Sequence, residues 1–211
     1  MNRADKTGRR KQAAEIRAAT DGQKGKNVVL KRFTIYDLII VAVMAALGIA
    51  LKPIIVAAVH LVSTPLMLPG GSLAGGLYMM WLVLAFAITR KPGTGTLVGL
   101  VQAIMIMLLP IPGSHGVMSL ISYTVPGIAL DALMLVMLWL ARREFDRLAA
   151  FLGGLVTNLA GTLMTTVIFM RLPAIPFAVA VCAASLSGGI GGLIAWGLYK
   201  VIKKYRLVRN G

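Results

Sequence analysis

GGLYMMWLVLAFAITRKPGTGTLVGLVQAI, residues 75–104, holds two apolar runs separated by Arg90, Lys91, Pro92 and Gly93. Each run can cross a membrane, or the whole stretch can dip in and out as a re-entrant hairpin. The runs, Leu73–Thr89 and Thr94–Leu109, fall short of the roughly 20 residues that a 30 Å hydrocarbon core asks of a helix. The hairpin, however, buries Arg90 and Lys91 near the bilayer middle, at roughly 2.5–3.5 kcal/mol apiece. Two short spans cost less. That choice sets the number of crossings for the whole chain.

Working outward, the remaining candidate spans are Tyr36–Leu51, Val117–Ala141, Leu148–Met170 and Phe177–Ile202, which makes six. Composition agrees: the 211 residues are 58% hydrophobic and 14% charged, with mean hydropathy +0.83. A soluble domain carries about 25% charged residues, so lipid must cover most of this surface. Charge placement tests the count. With six spans, 20 of the 22 Lys/Arg fall on one side, leaving Lys52 and Arg171 on the other. Basic residues mark the cytoplasmic side. The expected fold is an all-α membrane protein of six transmembrane helices, residues 33–211, with both termini cytoplasmic.

Residues 1–32 form a separate basic tail, with ten Lys/Arg against Asp5, Glu15 and Asp21. It lacks a sustained apolar face and reads as a solvated cytoplasmic segment. It fails as a signal peptide, because the basic region is too long and no A-x-A exit follows. Beside a membrane such a tail meets anionic lipid headgroups. Nucleic acid is not expected as a partner, since aromatic interleaving is missing. The single cysteine, Cys182, excludes an internal disulfide and a cysteine-based zinc site.

On the outer side, Pro53–Val62 is too short to span alone. Pro53 is expected to kink or end the first helix, leaving a bent extension and then a loop, together 53–72, able to cover the helix ends as a lid. One long tilted helix with a kink is the alternative.

Enzyme signatures are missing. RKPGTGTL, residues 90–97, lacks the G-x-x-x-x-G-K-[ST] spacing that wraps phosphates. GGSLAGG and SGGIGG do not sit between a strand and a helix, so they are not dinucleotide fingerprints. There is no H-E-x-x-H and no carboxylate pair. The chain is not expected to be an enzyme or to hold a cofactor or metal. The glycines have a simpler use: Gly153, Thr157 and Gly161, and Gly188 with Gly192, put small residues on one helix face for close approach. Ala42, Ala46 and Ala50 do the same on the first span.

Asp131 lies in the apolar run YTVPGIALDALMLVML, residues 123–138. Acids inside a span are costly and mark functional sites by default. Counting about 11 residues from Arg142 places it near mid-depth or slightly inward, and Asn158, counted from Arg147, reaches a similar depth from the next span. The two can meet in a structural hydrogen bond or line a polar cavity. Pro126-Gly127 loosens the span above. His115 at the outer side and Gln102 within the third span are further polar candidates. Tyr78, Trp81 and Tyr123 can stack on a flat ring or anchor the chain at the membrane interface. Lys52 and Arg171 can attract an anion or snorkel towards headgroups.

Residues 75–104 with Gly113-Ser114, Gly116 and PGIALD resemble the S components, or substrate-binding subunits, of energy-coupling factor (ECF) transporters. The likeness is nearest to the YkoE-like branch associated with thiamine and its hydroxymethylpyrimidine precursor. Asp131 departs from that branch, which has Glu there. The resemblance implies capture of a small vitamin-like molecule from outside at the prokaryotic cell membrane, beneath the loop after the first span. It also implies a T component docked on Ala42 and Ala46, and ABC ATPase subunits that use the ATP. Asp131, His115, Asn158, Trp81, Tyr78, Tyr123 and Gln102 are then the candidate substrate-binding residues. Two other classes stay open: a partner-independent transporter using Asp131 as a proton relay, and a small membrane enzyme acting on a lipid headgroup.

Overall fold

A computed structural model describes residues 33–63, 70–109, 116–140 and 144–205. The described residues are built of helices: α1 (Ile35–Ser63), α2 (Gly70–Thr89), α3 (Thr94–Leu108), α4 (Ser119–Met134), α5 (Arg147–Met164) and α6 (Ala174–Lys204). A 3-10 turn, Gly116–Met118, leads into α4, while π-helical segments Leu135–Leu140 and Thr165–Met170 prolong α4 and α5. Five helices are long and apolar enough to cross a membrane, and α3 is the shorter sixth.

Local chemistry explains several boundaries. Thr34 and Asp37 form a reciprocal cap at the start of α1. The Thr34 amide donates to Asp37 at 2.6 Å and the Asp37 amide to the Thr34 hydroxyl at 3.4 Å. This cap belongs to a short N-terminal unit ending at Leu38; the body of the chain begins at Ile39. Asp146 caps α5 by accepting from the Ala149 amide at 2.8 Å. Between α2 and α3, Arg90 (φ 54°) and Gly93 (φ 97°) adopt left-handed conformations that reverse the chain in four residues. Lys203 and Lys204 close α6, where cations complement the helix dipole.

The expected break at Pro53 is corrected: α1 runs through it as one 29-residue helix, about 43 Å long. Proline removes one backbone donor, yet the helix continues on both sides. The bent-extension reading thus gives way to a helix that runs to Ser63, with α2 starting at Gly70; residues 64–69 of the expected lid lie outside the described residues.

At the centre, α2 is buried along Leu82–Ile88 and packs chiefly on α6, with α5 and α3 beside it. The expected small-residue seam is present on Gly188 and Gly192, facing Gly154 and Ala150 of α5. A Cβ on Gly154 would lie 2.2 Å from the Gly188 carbonyl oxygen. Gly153 turns to α4 instead, against Met134. A second close crossing joins α3 to α4, where a Cβ on Gly127 would lie 2.3 Å from the Gly95 oxygen.

One end of the bundle is an aromatic and basic knot. Arg90 donates from Nε to the Ala87 carbonyl and from Nη2 to the Tyr199 hydroxyl, both at 2.8 Å, and lies over the Phe145 ring at 4.8 Å. Phe145, although in the segment between α4 and α5, is buried and contacts Phe86, Trp196 and Tyr199 at centroid distances of 5.7–6.3 Å. The turn at 90–93, the segment before α5 and the end of α6 therefore share one end. Those are three of the basic segments that charge placement assigned to the cytoplasm.

Candidate ligand site and the Asp131 clamp

Asp131 is buried, and the structure gives it a definite task. One carboxylate oxygen accepts from the Gly95 amide at 3.0 Å; the other accepts from the Thr96 amide at 2.7 Å and its hydroxyl at 2.6 Å. These are the exposed donors at the start of a helix, so Asp131 caps α3 from the neighbouring α4. Asp131 stands level with the first turn of α3, just past the basic 90–93 turn, and so nearer the cytoplasmic end than mid-depth.

Asn158 does not meet it. This residue is 1% exposed, and its Nδ2 donates to the carbonyls of Ala184 at 2.9 Å and Ser72 at 3.4 Å. Its Oδ1 fills the space over Gly75, where a Cβ would lie 1.7 Å away. Asn158 therefore ties α5 to α6 and α2. Ser187 adds to this join, donating to the Leu73 carbonyl at 2.5 Å and accepting from the Gly76 amide at 3.1 Å.

The other candidates gather on the opposite side of α2. Gly48 of α1 leaves a gap that Gln102 and Trp81 enter: a Cβ there would lie 2.3 Å from Gln102 Nε2 and 3.5 Å from Trp81 Cδ1. Gln102 is 3% exposed. The buried Trp81 indole nitrogen has no partner among the described residues. Buried polar groups are normally satisfied, so the unmet indole donor calls for an acceptor from elsewhere. One turn further along α1, Lys52 donates to the Tyr123 hydroxyl and sits 4.8 Å from the centre of the Tyr123 ring. Ile49, Ala103, Ile106 and Tyr123 form the apolar packing around this point. Tyr78 directs its hydroxyl up α2, where a Cβ on Gly71 would lie 3.0 Å from it. His115 falls outside the described residues.

The sequence leaves Lys52 open, as a group that attracts an anion or snorkels towards headgroups. The signal was present, as a lone ammonium in an apolar run, but burial and snorkelling look alike on paper. The structure separates them: Lys52 is buried at 7% exposure, whereas Arg171 is exposed.

The alanines of α1 face outward. Ala42 and Ala50 are exposed and Ala46 is partly so, beside exposed Ile39, Val43 and Leu47.

Five apolar helices of spanning length and a shorter sixth make this a multi-pass membrane protein. The fold is similar to a crystal structure of an S component of an ECF transporter, with TM-score 0.66 over 81% of this chain and 85% of that one, at 16% identity. The chain belongs to the family described as the permease component of ABC-type cobalt transport systems, whose model matches residues 36–160. No curated protein sequence matches the chain.

Proposed function

We propose that this chain is the substrate-capturing subunit of an ECF-type importer, taking a small, flat organic molecule from outside into the cluster around Gly48. The observation that carries this reading is the unmet indole donor, Trp81 Nε1, beside the buried Gln102 amide and near Tyr123. Aromatic faces with a few convergent polar groups are the usual furnishing of small-molecule sites. Tyr78 completes the wall. Asp131 and Asn158 position the helices that carry these residues, and neither need touch the ligand. Energy would come from partner ABC ATPases through a membrane scaffold, the T component, docked on Ala42, Ala46 and Ala50. Small residues in that spacing let another helix approach closely.

The resemblance of residues 75–131 to the thiamine branch makes thiamine and its hydroxymethylpyrimidine the first compounds to titrate. A second reading, cobalt ion as the substrate, is favoured by the family description. Against it, the described residues bring together no group of three His, Cys, Asp or Glu. Isothermal titration of the purified chain with the two organic compounds and with Co²⁺ decides between them. Trp81→Phe removes the indole donor while keeping a ring. It is expected to weaken the organic ligand by about tenfold, the worth of one buried hydrogen bond, with little change in melting temperature. Unchanged affinity in Trp81→Phe and Gln102→Ala would overturn this site.

Docking makes a separate prediction. Ala46→Leu fills the seam on α1 and is expected to abolish co-purification of membrane partners while ligand binding stays within about twofold of wild type. Loss of both together would mean that the α1 face serves the fold instead.

A further inference from the structure

Lys52 holds a charge-bearing group that no described carboxylate answers. It lies 17 residues after Ile35, about 26 Å along α1, and is buried. Its contacts are the Tyr123 hydroxyl and ring. The chain has seven acids, and the described ones are engaged elsewhere or exposed. Asp37 is bonded to Thr34, Asp131 caps α3, Asp146 caps α5 and Glu144 is exposed. The remaining three, Asp5, Glu15 and Asp21, precede α1 in the sequence. Among the described residues Lys52 thus has no carboxylate partner. A buried ammonium without a counter-charge is unfavourable. An ammonium has three protons to donate, and the tyrosine hydroxyl takes one.

We infer that Lys52 and Tyr123 form the anion-binding end of the site, and that the ligand is an aromatic or heteroaromatic acid, bearing a carboxylate or phosphate. Its ring would lie one turn lower, by Trp81 and Gln102, with the acid group against Lys52. The bond is a charge-assisted one, the strong kind, and here it replaces water that the helices exclude. This rests on the placement of the site around Gly48 and narrows it. A ligand with a fixed positive charge, such as a thiazolium, would be repelled by Lys52. The same phosphate chemistry could come from a lipid headgroup, so the source is part of the test.

The test uses the full chain in a neutral maltoside detergent and matched probes on one ring: nicotinate, nicotinamide and N-methylnicotinamide, then hydroxymethylpyrimidine monophosphate, hydroxymethylpyrimidine and thiamine. Short-chain phosphatidylglycerol is the lipid probe. The expected result is binding of the anionic member of a series, weakened about tenfold or more in Lys52→Gln and less in Tyr123→Phe, with both variants monodisperse. Tyr123→Phe, which loses one hydroxyl, keeps the test open should Lys52→Gln fail to fold. Binding of neutral or cationic probes that survives Lys52→Gln but is lost in Gln102→Ala would overturn the anion assignment and keep the site. No binding by any probe would overturn both. Lysine-dependent binding of phosphatidylglycerol alone would make the anion a headgroup and overturn the solute.

Discussion

Replacing Asp131 with alanine is expected to lower the unfolding free energy by about 3 kcal/mol, with ligand affinity of the folded protein unchanged within about twofold. The substitution strips three hydrogen bonds and leaves the Gly95 and Thr96 amides without their acceptor at the start of α3. A backbone donor has no alternative partner in hydrocarbon, and each one left unmet costs several kcal/mol. Water reaching the end of the helix would soften that cost, which keeps the expected total moderate. Asp131→Asn retains one acceptor and is expected to lose about half as much. Denaturation in a graded detergent mixture measures the stability, and titration on the surviving folded fraction measures the affinity. A variant as stable as wild type that no longer binds would restore Asp131 to the ligand site.

Gly154→Val is expected to be worse, at about 3–5 kcal/mol, enough to leave little folded protein in the membrane. The added Cβ would stand 2.2 Å from the Gly188 oxygen and 2.7 Å from the Gly192 amide nitrogen. Both are backbone atoms of α6, so no rotamer change relieves the clash; the helices must part. In lipid there is no hydrophobic gain to pull them back, since the tails solvate a separated helix as well as a packed one. Gly197→Ala is the control. Its Cβ meets nothing within 4 Å, and alanine is the better helix former by about 1 kcal/mol, so folded yield should hold or rise. Equal yields for the two variants would remove the glycine seam from the account.

The six helices, and the gathering of three basic segments at one end, were legible in the sequence because bilayer thickness and basic turns constrain them directly. Arg90 and Lys91 alone settled the parity of the crossings, and the Arg90–Phe145–Tyr199 knot agrees with it. Depth was less legible. Asp131 was placed by counting along an ideal α-helix from Arg142. In the structure the intervening Leu135–Leu140 is π-helical, with more residues in each turn and a slower climb. Pro53 misled in the other direction, because a proline inside a long apolar helix costs one hydrogen bond and need not end it. Partner choice was the least legible. Asn158 and Asp131 have similar local sequence settings, and only the packing of whole helices decides which carbonyls or amides each one meets. Phe145 carries no sign of its burial, since a lone aromatic in a basic turn is equally at home in headgroups. Lys52 stays undecided in the sequence for the same reason.

The measurement that tests the account most directly is gentle affinity purification of the full chain from its native membrane, with mass spectrometry of what accompanies it. The account predicts a multi-helix membrane scaffold together with ABC-type ATPases, all lost when Ala46 is replaced by leucine. Recovery of the chain alone, under detergents that preserve other membrane complexes, together with uptake by the chain alone in lipid vesicles, would contradict it.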